Sequence, residues 1–270
     1  MPKSYLKTSH FLPDPQGLAR GEDARAQIAA DIVGKYGKVG DLLDIFVRNT
    51  GEGVDKWHHY LPLYDRYLSA RRNGPFRFLE IGVSKGGSLQ MWRRYFGPDA
   101  IIFGIDIDPT CARFDGLAGQ VRIGSQADRD FLNAVVDEMG GVDVVLDDGS
   151  HKMPHIQASL NALFPRLSPG GTYIIEDLHT AYWRQFGGGE AAPANFFNTV
   201  RTMIDDMHTW YHDSGIALPV TAGSVTGIHI HDSVVVLDKG TVHRPVRSLV
   251  GSQTDGGAGE INTLAEGKTS

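Results

Sequence analysis

From Phe76 to Leu178, short apolar runs rich in β-branched residues alternate with segments whose apolar positions recur at helical spacing. Arg77–Val83, Ala100–Asp108, Val121–Gly124, Val142–Asp147 and Thr172–Glu176 read as strands, apolar on both faces as in a buried parallel sheet. Ser88–Tyr95 and Asp128–Met139 read as the helices between them. In the second, Phe131, Leu132, Val135, Val136 and Met139 share one face behind an acidic cap at Asp128. After His151 a further stripe, Ile156, Leu160, Leu163, Phe164 and Leu167, predicts another helix. Ser168-Pro169-Gly170-Gly171 is expected to stop it and turn into the next strand. This alternation predicts an α/β fold with a doubly wound, Rossmann-like, mostly parallel sheet.

The flanks have a different pattern. Residues 1–75 hold helical patches at Ala24–Tyr36 and Trp57–Ala70 and predict an N-terminal helical extension packed on the sheet. The main domain is expected over 76–250. Within it, Gly187-Gly188-Gly189 and Pro193 mark a loop, and a helix runs from Asn195 to about Tyr211. Thr226–His231 and Val234–Asp238, joined across Asp232-Ser233, predict a closing antiparallel hairpin. Residues 251–270, rich in Gly, Ser and Thr, are expected to form a flexible tail.

Composition narrows the class without naming the chemistry. The 270 residues are 41% hydrophobic and 21% charged, a globular balance. A formal net charge of −6 supplies no electrostatic reason to bind nucleic acid or an anionic membrane. Cys111 is the single cysteine, which rules out an internal disulfide and suits a reducing cytoplasm. The N-terminus lacks a signal peptide's apolar core, and no apolar run is long enough to span a bilayer. A cytoplasmic protein is therefore expected, with the N-terminal extension favouring a homo-oligomer, a dimer.

The chemistry is expected where two strands end in polar residues. Val144-Val145-Leu146 breaks into Asp147-Asp148-Gly149-Ser150-His151, and Tyr173-Ile174-Ile175 into Glu176-Asp177-Leu178-His179. In open α/β sheets ligands bind at that carboxyl edge. Asp148, Glu176 and Asp177 form an oxygen-rich set suited to Mg²⁺, with His151 placed as a base. Asp147 is expected to brace the adjacent loop or to lie beside the cofactor. Any one of these acids alone would more often be a helix cap or a solvated loop carboxylate, but several at one edge are costly unless a cation compensates.

Leu79-Glu80-Ile81-Gly82-Val83-Ser84-Lys85-Gly86-Gly87-Ser88 is a glycine-rich turn with Ser84 where a pyrophosphate-binding turn carries its second glycine. A nucleoside without a pyrophosphate is the better fit. Glu80 could hold a cationic amino group and Asp106 both ribose hydroxyls, while Ser125 and Gln126 could address an adenine edge. Gly82, Gly86 and Gly87 could also serve only to let strand and helix pack closely.

Phe78-Leu79-Glu80-Ile81-Gly82, Gly104-Ile105-Asp106, Leu146-Asp147-Asp148-Gly149-Ser150-His151 and Ile175-Glu176-Asp177-Leu178 together resemble the motifs of class I S-adenosylmethionine-dependent methyltransferases. More narrowly, they resemble the Mg-dependent sugar O-methyltransferases of macrolide and other antibiotic glycosides, a group related to cephalosporin-hydroxylase-like proteins. The resemblance covers roughly Asp55 to the C-terminal hairpin. It implies S-adenosyl-L-methionine and Mg²⁺ as cofactors and a sugar or glycoside hydroxyl as acceptor. It also implies Asp148, Glu176 and Asp177 as metal ligands, His151 as base, and Glu80, Gly82, Ser88, Asp106, Ser125, Gln126 and Asp147 on the cofactor side. Asp55-Lys56-Trp57-His58-His59-Tyr60 resembles, at shorter spacing, the family's D-K…H-x-Y segment, which lies over the cofactor.

Other chemistries remain open at the level of residues. Two of His151, His155 and His179 with one carboxylate would make a non-haem iron triad for an oxygenase. A nicotinamide dehydrogenase is disfavoured by Ser84, and a non-catalytic binding protein would keep the pocket without the base. Tyr182, Trp183 and Phe186 could stack on a sugar ring or pack internally.

Overall fold

The computed structural model describes residues 21–37, 40–216 and 218–251. The expected tail therefore lies, apart from Gly251, outside the described residues, as do the first 20 residues of the extension. Five parallel strands, β1 (Arg77–Ile81), β2 (Ile101–Asp106), β3 (Gln120–Ile123), β4 (Val142–Asp147) and β5 (Leu167–Ile175), are joined by two antiparallel ones, β6 (Val225–His231) and β7 (Val234–Lys239). Their order is β3-β2-β1-β4-β5-β7-β6. The chain changes direction across the sheet between β1 and β4, which places the ligand crevice beyond the carboxyl ends of those two strands.

The strands are buried on both faces because helices cover both. Leu79, Ile81, Val145, Tyr173 and Ile175 pack toward α5 (Arg129–Met139), α6 (Met153–Leu163) and α7 (Phe196–Met207). Phe78, Val144, Leu146 and Ile174 point the other way, as strand alternation requires. They meet α1 (Glu22–Tyr36), α2 (Asp41–Val47), α3 (Tyr60–Leu68) and α4 (Gly87–Phe96). Trp92 of α4 is fully buried there, stacked on Phe96 at 5.5 Å and edge-on to Tyr64 at 5.1 Å. The helices before residue 75 thus share a core with the sheet.

Several expectations shift. α2 is not among the patches read from the sequence. β5 begins at Leu167, so Ser168–Gly171 lies inside the strand rather than in a turn before it. The pairing slips register between Val142 and Val144, and Gly170 takes a φ of 76°, so the extra chain length is absorbed as a bulge. The helix expected to reach Tyr211 ends at Met207, followed by a 3₁₀ turn over Thr209–Tyr211. The predicted cap holds: the Asp128 carboxylate accepts from the backbone N–H groups of Asp130 and Phe131. No described helix is long and apolar enough to cross a membrane.

Candidate active site

A cavity of about 450 Å³ opens at the switch point and is lined by Gly82, Ser88, Asp106, Ser125, Gln126, Asp148 and His151 among others. Its floor depends on Gly82. That residue has a φ of 98°, and a Cβ there would stand 2.1 Å from the Asp148 carbonyl oxygen. The exits of β1 and β4 can therefore touch only because position 82 has no side chain. Ser84 is in the left-handed region at φ 48°, and its N–H donates to Asp106 Oδ2 at 2.8 Å. The Asp108 N–H donates to Asp106 Oδ1 at 2.9 Å. The Asp106 carboxylate is thus fixed by two backbone donors while still facing the cavity.

Three residues expected on the cofactor side are engaged in other ways. Glu80 is fully buried behind the wall, accepting from Ser88 Oγ at 2.8 Å and Trp92 Nε1 at 3.0 Å. Burial pushes its carboxyl up to about 7, against the pull of the Lys56 ammonium. Asp147, which does not line the cavity, points into the α6 layer. There it accepts from Ser159 Oγ, from Gln126 Nε2 at 3.0 Å and from Tyr173 OH at 3.4 Å. These contacts tie it to α6, β5 and the segment after β3, and burial raises its carboxyl to about 6 even against those donors. Gln126 reaches the cavity, but its amide is already committed: its Oε1 accepts from the Ser150 N–H at 2.7 Å.

The acidic half is assembled from distant segments. Asp148 Oδ1 lies 4.0 Å and Asp177 Oδ2 3.5 Å from His151 Nε2. Among the described residues, Asp148, His151 and Asp177 are the group of donors able to hold a metal ion, all within 4.8 Å of one another. Glu176 turns away from them. It is buried and hydrogen-bonded to Tyr64 OH, and its Oε2 accepts from Lys56 Nζ at 2.9 Å. The same ammonium donates to Asp148 Oδ2 at 2.5 Å. Burial alone would depress the Lys56 ammonium, but the charges of Asp148, Glu176 and Glu80 together outweigh it and raise its pKa. Burial pushes Glu176 and Asp148 upward, and Lys56 is the main force opposing it.

Two residues of this half are strained. His151 and Asp177 have φ values of 56° and 55°, a left-handed conformation unusual for residues with a side chain. One buried hydroxyl lies between them: Thr180 Oγ1 is 2.7 Å from the Asp177 carbonyl and 3.1 Å from that of His151. Tyr60 OH donates to Asp177 Oδ1 at 2.7 Å. His179 is fixed by the hairpin turn, its Nδ1 2.7 Å from Ser233 Oγ, and it lies edge-on between Trp57 at 5.9 Å and Trp183 at 4.9 Å. His155 faces Ser150 Oγ through Nδ1 at 2.9 Å and stands outside the donor cluster.

The donor set fits a hard divalent cation in part. It offers carboxylate oxygens of Asp148 and Asp177 beside the His151 imidazole, and Mg²⁺ tolerates few protein ligands. Glu176 joins only if Lys56 yields it. Sequence reasoning did not assign Tyr64 or Thr180 to this site, and it placed Lys56 and Tyr60 only in a segment over the cofactor, not among the acids. A signal existed in Tyr60 and Tyr64, four residues apart and hence on one face of α3, with Lys56 in the segment that leads into that helix.

Residues 79–178 match a family model described as a methyltransferase domain. The chain carries a methyltransferase domain. The chain is 37% identical over 213 residues to the 8-demethyl-8-(2-methoxy-alpha-L-rhamnosyl)-tetracenomycin-C 3'-O-methyltransferase of Streptomyces olivaceus, covering 74% of this chain and 54% of that protein. It is 33% identical over 243 residues to the L-olivosyl-oleandolide 3-O-methyltransferase of Streptomyces antibioticus, covering 83% and 61%. Among solved structures, the MycE methyltransferase in complex with Mg, SAH and mycinamycin VI superposes with a TM-score of 0.67 at 31% identity, over 82% of this chain and 62% of that one. The chain thus spans little more than half the length of the curated relatives it matches.

Proposed function

We propose that the protein is an S-adenosyl-L-methionine- and Mg²⁺-dependent O-methyltransferase acting on a hydroxyl of a sugar or glycoside. The observation that carries this reading is the convergence of Asp148, His151 and Asp177 on one point of the cavity rim. The sugar-methylating relatives supply the acceptor class. When bound, the donor would supply an electrophilic methyl group, and the cation would orient and acidify the acceptor hydroxyl.

The chain's own residues then have definable tasks. Gly82 and Ser88 shape the donor side of the cavity, and Asp106 presents a fixed carboxylate there. Ser125 lines the same side, whereas Glu80 and Asp147 support it from behind. His151 Nε2 is the base that takes the acceptor proton, and the flanking carboxylates of Asp148 and Asp177 stabilise the resulting imidazolium. Asp148 and Asp177 would hold the cation, with Glu176 as the third acid in reserve. An iron triad of two histidines and a carboxylate has less support, because His155 lies outside the cluster and His179 is committed to Ser233.

The test is a mass-spectrometric screen of rhamnosylated, olivosylated and other glycoside acceptors with the methyl donor and Mg²⁺. A gain of one methyl on the sugar, lost on chelation, is expected. Methylation undiminished by chelator would remove the cation from the reading. Oxygen-dependent hydroxylation with Fe²⁺ would replace the reading altogether. On the same reading the protein is a cytoplasmic homo-oligomer, a dimer, with no nucleic-acid or membrane partner; light scattering on the purified chain tests the dimer.

A further inference from the structure

Lys56 is the least expected charge in the molecule. Its side chain is 3% exposed, and its Nζ bridges Asp148 Oδ2 and Glu176 Oε2 at 2.5 and 2.9 Å. A buried ammonium of this kind persists only where carboxylates compensate it, and three acids supply that compensation: the two it touches, and Glu80 through space. The carboxylates need it equally. Glu176 is 1% exposed, and besides Lys56 its carboxylate accepts from Tyr64 OH. Lys56 therefore occupies the charge-neutralising position at the acidic rim that a metal ion would otherwise take for this pair.

We propose that Lys56 is a resident cation of the rim that competes with a divalent ion for Asp148 and Glu176, and so sets how tightly, and through which acids, the site takes metal. The inference rests on the proposed function insofar as that reading places a cation at Asp148 and Asp177. With Lys56 in place, Asp148 offers the metal only Oδ1, and Glu176 is withheld. An ion that recruits Glu176 must first displace the ammonium, so some binding free energy goes into breaking two charge-assisted hydrogen bonds. The ion also approaches against a like charge at low local dielectric. The lysine thereby keeps the buried acids neutralised when no ion is bound and tunes the rim toward weak, exchangeable binding. Lys56 touches no reacting atom in this scheme and is a positioning residue.

The experiment measures Mn²⁺ binding to the full chain by the loss of its free-ion paramagnetic resonance signal, with Asp148→Asn as the control that abolishes the site. Lys56→Met is expected to tighten Mn²⁺ binding at least tenfold. Lys56→Gln, which keeps an amide between the acids but removes the charge, should do the same, whereas Lys56→Arg should stay near wild type. Unchanged or weaker binding in both neutral variants overturns the inference while leaving the cation reading intact. Absence of any Mn²⁺ binding, in wild type and variants alike, overturns both. A second measurement needs no variant: trace acetylation of wild-type Lys56, read by peptide mass, should rise when Mg²⁺ is added. Acetylation that is indifferent to Mg²⁺ or suppressed by it overturns the inference as well.

Discussion

The two halves of the site are built by different means. The proposed donor half comes from consecutive parallel strands, and Gly82, Ser84, Ser88 and Asp106 lie within one β-α-β passage. The acidic half is gathered from far apart: Lys56 and Tyr60 before the sheet, Asp148 and His151 after β4, Asp177 and Thr180 after β5, and Ser233 in the hairpin turn. The first is a local backbone shape made by glycine and strand order. The second is a balance of buried charges and left-handed turns that no single segment can form alone. A local shape tolerates change around it, whereas a balance of charges is disturbed by losing any one member.

That contrast can be broken from either side. The largest effect is expected for His151→Ala, which should cut turnover by about 10²-fold or more, the range for losing a general base, while donor affinity stays near wild type. Full activity in that variant would take the base role away from His151 and leave the acidic half a binding feature only. Gly82→Ala tests a point of close backbone approach between the halves. Its Cβ would meet the Asp148 carbonyl at 2.1 Å in a conformation alanine avoids. A loss of about 2 kcal/mol or more in stability and of most donor binding is expected, read by thermal melt and calorimetric titration. A variant with unaltered donor affinity would show that the close approach is not needed.

Asp147 gives a pH test at a group buried behind the rim. Burial raises its carboxyl from 3.8 to about 6, so the folded state holds a proton that the unfolded chain releases earlier. Stability from this group is fully present below about pH 4 and is lost as pH rises toward 6. Two units correspond to about 2 to 3 kcal/mol. Asp147→Asn should flatten that part of the stability profile, measured by denaturant unfolding between pH 4 and 7. An unaltered slope would mean that the burial cost is already offset by Ser159, Gln126 and Tyr173. The smallest effect belongs to Thr180→Val, which removes the hydroxyl between the two strained carbonyls. It should cost about 1 kcal/mol of stability and lower kcat several-fold with donor affinity unchanged. Equal losses in kcat and donor affinity would merge the two halves into one unit.

How much of this was legible follows the same division. The strands β1 to β4 and the capped α5 stand close to where periodicity places them, because each is decided by its own apolar pattern. β5 was read too short because Pro169, Gly170 and Gly171 signal a turn locally, while pairing with β4 overrides them. In the site, the motif acids were found at the correct edge of the sheet, but the separate directions of neighbouring acids were not. Asp147 faces α6 and Asp148 faces Lys56, and Glu176 parts from Asp177 in the same way. Such alternation can be inferred along a strand but not at its ragged end, where the backbone turns left-handed. Lys56 is read from the sequence only as part of the segment over the cofactor, and its pairing with the acids is not legible because those partners lie 92 and 120 residues away.

The hairpin turn carries a consequence for how the protein is made. Ser233 accepts the Leu178 N–H through its carbonyl, and its hydroxyl fixes His179, while β7 lies directly against β5. A nascent chain emerging from the ribosome could close the donor pocket with its first four strands. The acidic rim beside His179 must wait until the turn at residue 233 has been synthesised and has swung back across the sheet.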